Sequence, residues 1–199
     1  MKKLRDNILI FDIPESIQEE IDYWVDCSIN VKNHPLADIR AHENVGYLAG
    51  VDGRKHNSYQ CGVPARLIED SFWLAWVLRL THEHWGKGRN LREFKLKNWP
   101  GYFDKYDLWT NFAYKGDDNP PHNHSGFVSG VIYYKNHNHP TKFFDLGCEY
   151  EGKNGTMIMF PSDIVHCVMP FQEDKERITL AFNIAETEVV SKNGYQYAV

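Results

Sequence analysis

Asn119-Pro120-Pro121-His122-Asn123-His124-Ser125-Gly126, running into Phe127-Val128-Ser129-Gly130-Val131-Ile132-Tyr133-Tyr134, is the stretch on which the reading of the fold turns. In an extended strand, side chains two apart share a face, so His122 and His124 can reach one metal ion. On a helix the same spacing turns the two rings about 200° apart.

Two other His-x-His pairs lack such a setting. His82-Glu83-His84 falls inside a helical pattern, and His137-Asn138-His139-Pro140 reads as a turn. Only His122 and His124 have a later partner in a strand context, His166 in Phe160-Pro161-Ser162-Asp163-Ile164-Val165-His166. Around them the chain reads as short strands: Leu108 to Tyr114, Phe127 to Lys135, Thr141 to Asp145, Thr156 to Phe160, Ile164 to Met169 and Arg177 to Ile184. Turn residues such as Lys115-Gly116-Asp117-Asp118 and Lys153-Asn154-Gly155 separate them. Short strands at regular spacing predict a sandwich or barrel.

The N-terminal half reads differently. Residues 1–11 predict a strand; Asp12 offers an N-cap and Pro14 a first-turn residue for a helix with Ile17, Ile21, Trp24 and Ser28 on its inner face. Periodicity then lapses from Ile29 to Gly62, and so long an irregular stretch suggests a lid or substrate loop. Val63-Pro64 is read as opening a second helix with an inner stripe of Leu67, Ser71, Leu74, Ala75 and Leu78; Trp73, Trp76 and Val77 widen its apolar face for packing on a sheet. Residues 86–107 read as a connection. The expectation is a mainly β fold with N-terminal helices, residues 1–199 forming one domain: a support region (1–107) and a β core (108–190).

At 199 residues the chain can bury a substantial core, and its net charge of −5 gives no field favouring nucleic acid or anionic lipid. The run Phe72 to Leu78 is far too short to span a bilayer. Met1-Lys2-Lys3-Leu4-Arg5 opens like a signal sequence, but Ile8-Leu9-Ile10-Phe11 is too brief an apolar core. Cys27, Cys61, Cys148 and Cys167 form no CxxC pair or disulfide framework, so a reducing cytoplasm is expected. A homodimer is left open.

Gly116, five residues, then His122-x-His124, and Gly155, five residues, Pro161, then His166, resemble the two motifs of cupins, although Val128 and Ser129 stand where a glutamate is expected. Ten residues separate Arg177 from His166. Alternation sets Arg177, Thr179, Ala181 and Asn183 on one face, opposite Ile178, Leu180, Phe182 and Ile184. A guanidinium on an inward face needs a partner, and a ligand carboxylate would serve.

With Trp109-Thr110-Asn111, Ser129-Gly130-Val131-x-Tyr133-Tyr134, His166-x-Val168-x-Pro170 and Glu176-Arg177-Ile178 through Phe182-Asn183, this order resembles the Fe(II)- and 2-oxoglutarate-dependent oxygenases from about Trp109 to Glu186. Within them it looks most like a branch found in marine bacteria and phages. The resemblance implies a double-stranded β-helix, Fe(II), 2-oxoglutarate and O2, with Arg177 on the far carboxylate and Asn111, Tyr133 or Asn183 assisting. It implies a hydroxylase acting on a small molecule or a protein side chain.

The family's usual triad places a carboxylate where His124 stands. Three readings stay open: all three histidines bind iron; His124 lines the pocket while water takes the third position; or Asp145 completes the triad. The demethylase branch has a second arginine six residues after the first, where this chain has Asn183, so nucleic acid is not an expected substrate. The alternatives are a three-histidine cupin enzyme without 2-oxoglutarate and a non-catalytic ligand-binding barrel.

Overall fold

In the computed structural model, which describes residues 1–33, 58–90, 94–97, 105–187, 189–192 and 195–198, the strand-like stretches pair into two antiparallel sheets. The larger holds β1 (Lys2–Arg5), β2 (Ile8–Asp12), β3 (Tyr59–Pro64), β4 (Phe94–Leu96), β5 (Lys105–Ala113), β7 (Val128–Lys135), β10 (Thr156–Pro161) and β12 (Arg177–Glu186). Their spatial order is β1-β2-β10-β7-β12-β5-β3, with β4 beside β12. The smaller sheet, β6 (Asn119–His122), β8 (Thr141–Phe143), β9 (Cys148–Tyr150) and β11 (His166–Val168), runs β6-β11-β8-β9. β13 (Val189–Lys192) and β14 (Tyr195–Ala198) form a separate hairpin.

This is a jelly-roll, or double-stranded β-helix, with two helices on the outer face of the larger sheet. Helix α1 (Glu15–Lys32) buries Ile17, Ile21, Trp24 and Val25; helix α2 (Phe72–Trp85) buries Trp73, Val77 and Leu80. Both stripes join a core with Leu108, Phe112, Ile132, Met159, Leu180 and Phe182. A smaller cluster, Ile8, Tyr133, Phe143, Ile158 and Phe160, fills one end of the space between the sheets. No helix among the described residues is long and apolar enough to cross a membrane.

Several boundaries differ from the sequence expectation. Val63 and Pro64 end strand β3, whose pairing with β5 holds them extended; a 3-10 turn (Ala65–Leu67) follows. Helix α2 begins only after Ser71, whose hydroxyl accepts from Leu74 N at 3.1 Å, so Ser71 is a cap rather than part of a buried stripe. The Glu20 carboxylate of α1 accepts Phe72 N and Trp73 N at 2.9 Å each, joining the helices. The buried face of α2 is therefore Trp73, Val77, Leu80 and Thr81, one step round from the expected stripe.

Pro14, not Asp12, stands at the α1 N-cap, because Asp12 still pairs with Thr156 in the sheet. Ile29 to Lys32 remain helical and Tyr59 to Gly62 are strand; residues 34–57, which hold most of the expected lid, lie outside the described residues. The stretch read as a connection contains β4 and the start of β5, and Cys148–Tyr150 adds a strand.

The Phe182 ring lies over the backbone of Gly130. A Cβ there would lie 2.1 Å from Phe182 Cζ, and Phe182 is held edge-on to Trp73 at 5.0 Å. Gly130→Ala is expected to cost about 1–3 kcal/mol in urea unfolding, with part of the loss recovered by adding Phe182→Leu.

Candidate metal centre

Antiparallel pairing of β6 with β11 puts His122 directly opposite His166. Side chains so placed on one face stand about 5 Å apart at Cβ, and the two rings lie 4.3 Å apart between centroids. His124 sits just beyond the end of β6, where its backbone N–H donates to Ser162 O at 2.9 Å. Its ring comes to 4.9 Å from that of His122 and 5.2 Å from that of His166. One ring nitrogen from each lies within 4.8 Å of the other two.

The tautomers follow from the backbone. His122 Nδ1 faces Pro120 O at 2.7 Å and His166 Nδ1 faces Ile164 O at 3.0 Å. A carbonyl only accepts, so each Nδ1 carries the proton and each Nε2 presents a lone pair. Pinning one ring nitrogen in this way orients the other as a ligand. Phe160 packs against the His166 ring at 4.8 Å, and Trp109 against that of His124 at 6.1 Å.

Burial keeps all three rings neutral. It holds His122 below the usual imidazole range, His166 at about 4 with help from His122, and His124 at about 3 with help from His122, His166 and Lys97. Neutral imidazoles converging on one point, with the outer nitrogens of His122 and His166 already bonded, suit a divalent first-row metal such as Fe(II). Asp145 is exposed in the turn after β8, and Asp163 is exposed as well, so neither joins the cluster.

The three histidines line a solvent-open cavity between the sheets. Arg177, at the start of β12, lines the same cavity and is 5 % exposed. Its Nε donates to Asn136 Oδ1 at 2.6 Å, and among the described residues no carboxylate pairs with it. Burial lowers it to about 10, so it stays charged at neutral pH. Thr179 and Ala181 follow it along the cavity wall, as alternation requires.

The remaining sequence candidates are placed as follows. Asn111 lines the cavity, its Oδ1 accepting from Trp109 Nε1 at 3.0 Å. Tyr133 is fully buried, its hydroxyl donating to Thr141 Oγ1 at 2.8 Å, and Thr141 is the one of the two that reaches the cavity. Asn183 is outside the lining: Oδ1 accepts from Ser129 Oγ at 2.6 Å and Nδ2 donates to Asp107 Oδ2 at 3.1 Å.

Asn136 escaped the sequence reading. Fully buried in the β7–β8 turn, it donates Nδ2 to the carbonyls of His139, Glu151 and Gly152 while holding Arg177. Asparagine is ordinary in a turn, so nothing in its sequence setting marks it. The third His-x-His pair is structural, His137 Nε2 meeting Glu176 O and His139 Nε2 meeting Met169 O.

Residues 135–183 match a family model described as "Putative 2OG-Fe(II) oxygenase". No curated protein matches the sequence. Among solved structures, the viral collagen prolyl hydroxylase vCPH of Paramecium Bursaria Chlorella virus-1, in its 2OG complex, is similar with a TM-score of 0.59 at 13 % identity, over 92 % of this chain and 97 % of that one. NgTET1 in complex with 5mC DNA is similar with a TM-score of 0.53 at 12 % identity, over 90 % of this chain and 72 % of that one. These likenesses share the fold, and the resemblance to the 2OG-Fe(II) oxygenases read from the sequence holds.

The depressed imidazoles set a pH dependence for the metal-free protein. Unfolded, each histidine takes a proton near 6.5; folded, His166 resists down to about 4 and His124 down to about 3. The unfolded state thus binds more protons between these values, and stability falls as pH drops through that window. Urea midpoints should decline from pH 6.5 towards 3, and His124→Gln should flatten that decline.

Proposed function

We propose that the chain is a non-haem Fe(II)- and 2-oxoglutarate-dependent oxygenase, a hydroxylase coupling decarboxylation of 2-oxoglutarate to oxidation of a second substrate. The observation that carries the reading is one cavity with three neutral imidazoles converging in its wall and a buried guanidinium that no carboxylate pairs among the described residues.

His122, His124 and His166 would hold the metal. Being neutral, they leave a divalent ion its full charge, and with Arg177 the cavity then favours an anion. A diacid answers both ends, one carboxylate towards the metal and one on the guanidinium, where planar double hydrogen bonding is available. When bound, Fe(II) and 2-oxoglutarate supply the oxidation, consuming O2 and releasing succinate and carbon dioxide as the second substrate gains a hydroxyl.

The chain's own work is positional. Asn136 fixes the Arg177 side chain through Nε, which directs its remaining N–H groups away from the turn. Tyr133 steadies the Thr141 hydroxyl beside them, and Asn111 is offered at the cavity wall as a further polar contact. Trp109 and Phe160 add apolar surface to the walls, which limits water around a bound metal.

The substrate is taken as a small molecule or a protein side chain. vCPH is a collagen prolyl hydroxylase and NgTET1 was solved with 5mC DNA, so the shared fold accommodates both polymer classes. The mild negative charge of this chain favours the first over the second.

Anaerobic titration with Fe(II) and then 2-oxoglutarate should produce the weak visible charge-transfer band of a chelated keto acid. Arg177→Leu should weaken 2-oxoglutarate binding by about ten- to a hundredfold, the worth of a charged hydrogen bond, with metal stoichiometry unchanged. Equal 2-oxoglutarate affinity in the variant would overturn the role given to Arg177. Metal binding with no band at any 2-oxoglutarate concentration would favour a three-histidine cupin enzyme instead.

A further inference from the structure

His124 is the least tethered of the three histidines at its ring, and it occupies the place where the resembling family carries a carboxylate. What fixes its backbone lies mostly behind the cavity lining. Asp107, 6 % exposed on β5, is the root of two polar chains that end on either side of the His124 peptide. In the first, Asp107 Oδ2 accepts from Asn183 Nδ2 at 3.1 Å, and Asn183 Oδ1 accepts from Ser129 Oγ at 2.6 Å. Ser129, having spent its one proton, must accept from Ser162 Oγ at 2.8 Å, and Ser162 O receives His124 N at 2.9 Å. In the second, Asp107 Oδ2 pairs with Lys97 Nζ at 3.5 Å, and Lys97 Nζ donates to Ser125 Oγ at 2.8 Å.

Backbone contacts close the ring. Lys97 N donates to Asn183 O at 2.9 Å, Asp107 N to Lys97 O at 2.6 Å, and Phe127 N to Ile184 O at 2.7 Å. Gly126 is pressed so near Ser162 that a Cβ would meet its Oγ at 2.9 Å. Phe127 is stacked on Phe94 at 5.4 Å, and Arg89 lies over the Phe127 ring at 4.7 Å. This network surrounds the five-residue loop between β6 and β7, residues 123–127, and it has a buried carboxylate at its root.

We propose that Asp107 is a positioning residue for the third metal ligand, holding the His124 imidazole towards His122 and His166 through the Asn183–Ser129–Ser162 and Lys97–Ser125 chains. The proposal rests on the reading that the three histidines hold a metal. Outer hydrogen-bond partners of metal ligands are commonly worth ten- to a hundredfold in metal affinity.

The test uses Co(II) alone, read by its d–d absorption and dissociation constant in the purified full chain without 2-oxoglutarate. Asp107→Ala should weaken Co(II) binding about tenfold and move the absorption to that of His124→Ala. Adding His124→Ala to Asp107→Ala should cause no further loss, and Asp107→Asn, which keeps an oxygen for Asn183, should restore a wild-type band. Ser129→Ala cuts the first chain with a smaller change and should shift the band in the same direction, which keeps the test available should Asp107→Ala not fold. Wild-type affinity and absorption in Ser129→Ala and in a folded Asp107→Ala, with only the melting temperature lowered, would overturn the proposal. A His124→Ala protein that binds Co(II) like wild type would instead remove His124 from the ligand set, and this proposal with it, while loss of Co(II) in His122→Ala would keep a two-histidine site standing.

Discussion

Two imidazoles facing one another across a pair of antiparallel strands are the constraint from which the rest of the cavity follows. Register alone sets His122 against His166, and each strand's own backbone, at Pro120 and Ile164, takes the outer ring nitrogen. The lone pairs that remain are turned towards the space between the sheets. Burial strongly disfavours a proton on these rings, so three neutral nitrogen donors stand within reach of one point.

The same economy governs the other end of the cavity. A guanidinium at 5 % exposure is expensive without a counter-charge, and the protein gives it an amide oxygen rather than a carboxylate. Three neutral imidazoles stand on one side of the space and this cation on the other, so the fixed positive charge lies at the arginine end. Apolar surface from Trp109 and Phe160 lowers the dielectric at the cavity walls and strengthens electrostatic attraction there.

Much of this was legible in the sequence because it rests on period-two alternation. His122, His166, Arg177, Thr179 and Ala181 occupy the positions that strand geometry assigns them, and the jelly-roll was readable from strand spacing. What escaped has a common cause. Pro64 carries a local signal that fits either a helix start or a strand end, and only pairing of β3 with β5 decides between them. Asn183 counts onto the inner face by alternation, yet its amide is engaged by Ser129 and Asp107 from neighbouring strands. Asn136 and Asp107 gain their roles from residues 41 and 76 positions away, contacts that no window on the sequence contains.

The fully engaged amide of Asn136 has a consequence for how such a protein can change over time. Its nitrogen serves three carbonyls and its oxygen serves the arginine, so both halves of the group are committed at once. An altered preference at the cationic end cannot begin with the arginine alone, since a replacement without a donor there strands a buried oxygen, nor with the asparagine alone, since that unties the turn. Descendants of this chain that take a different acid must first rebuild the bend between β7 and β8.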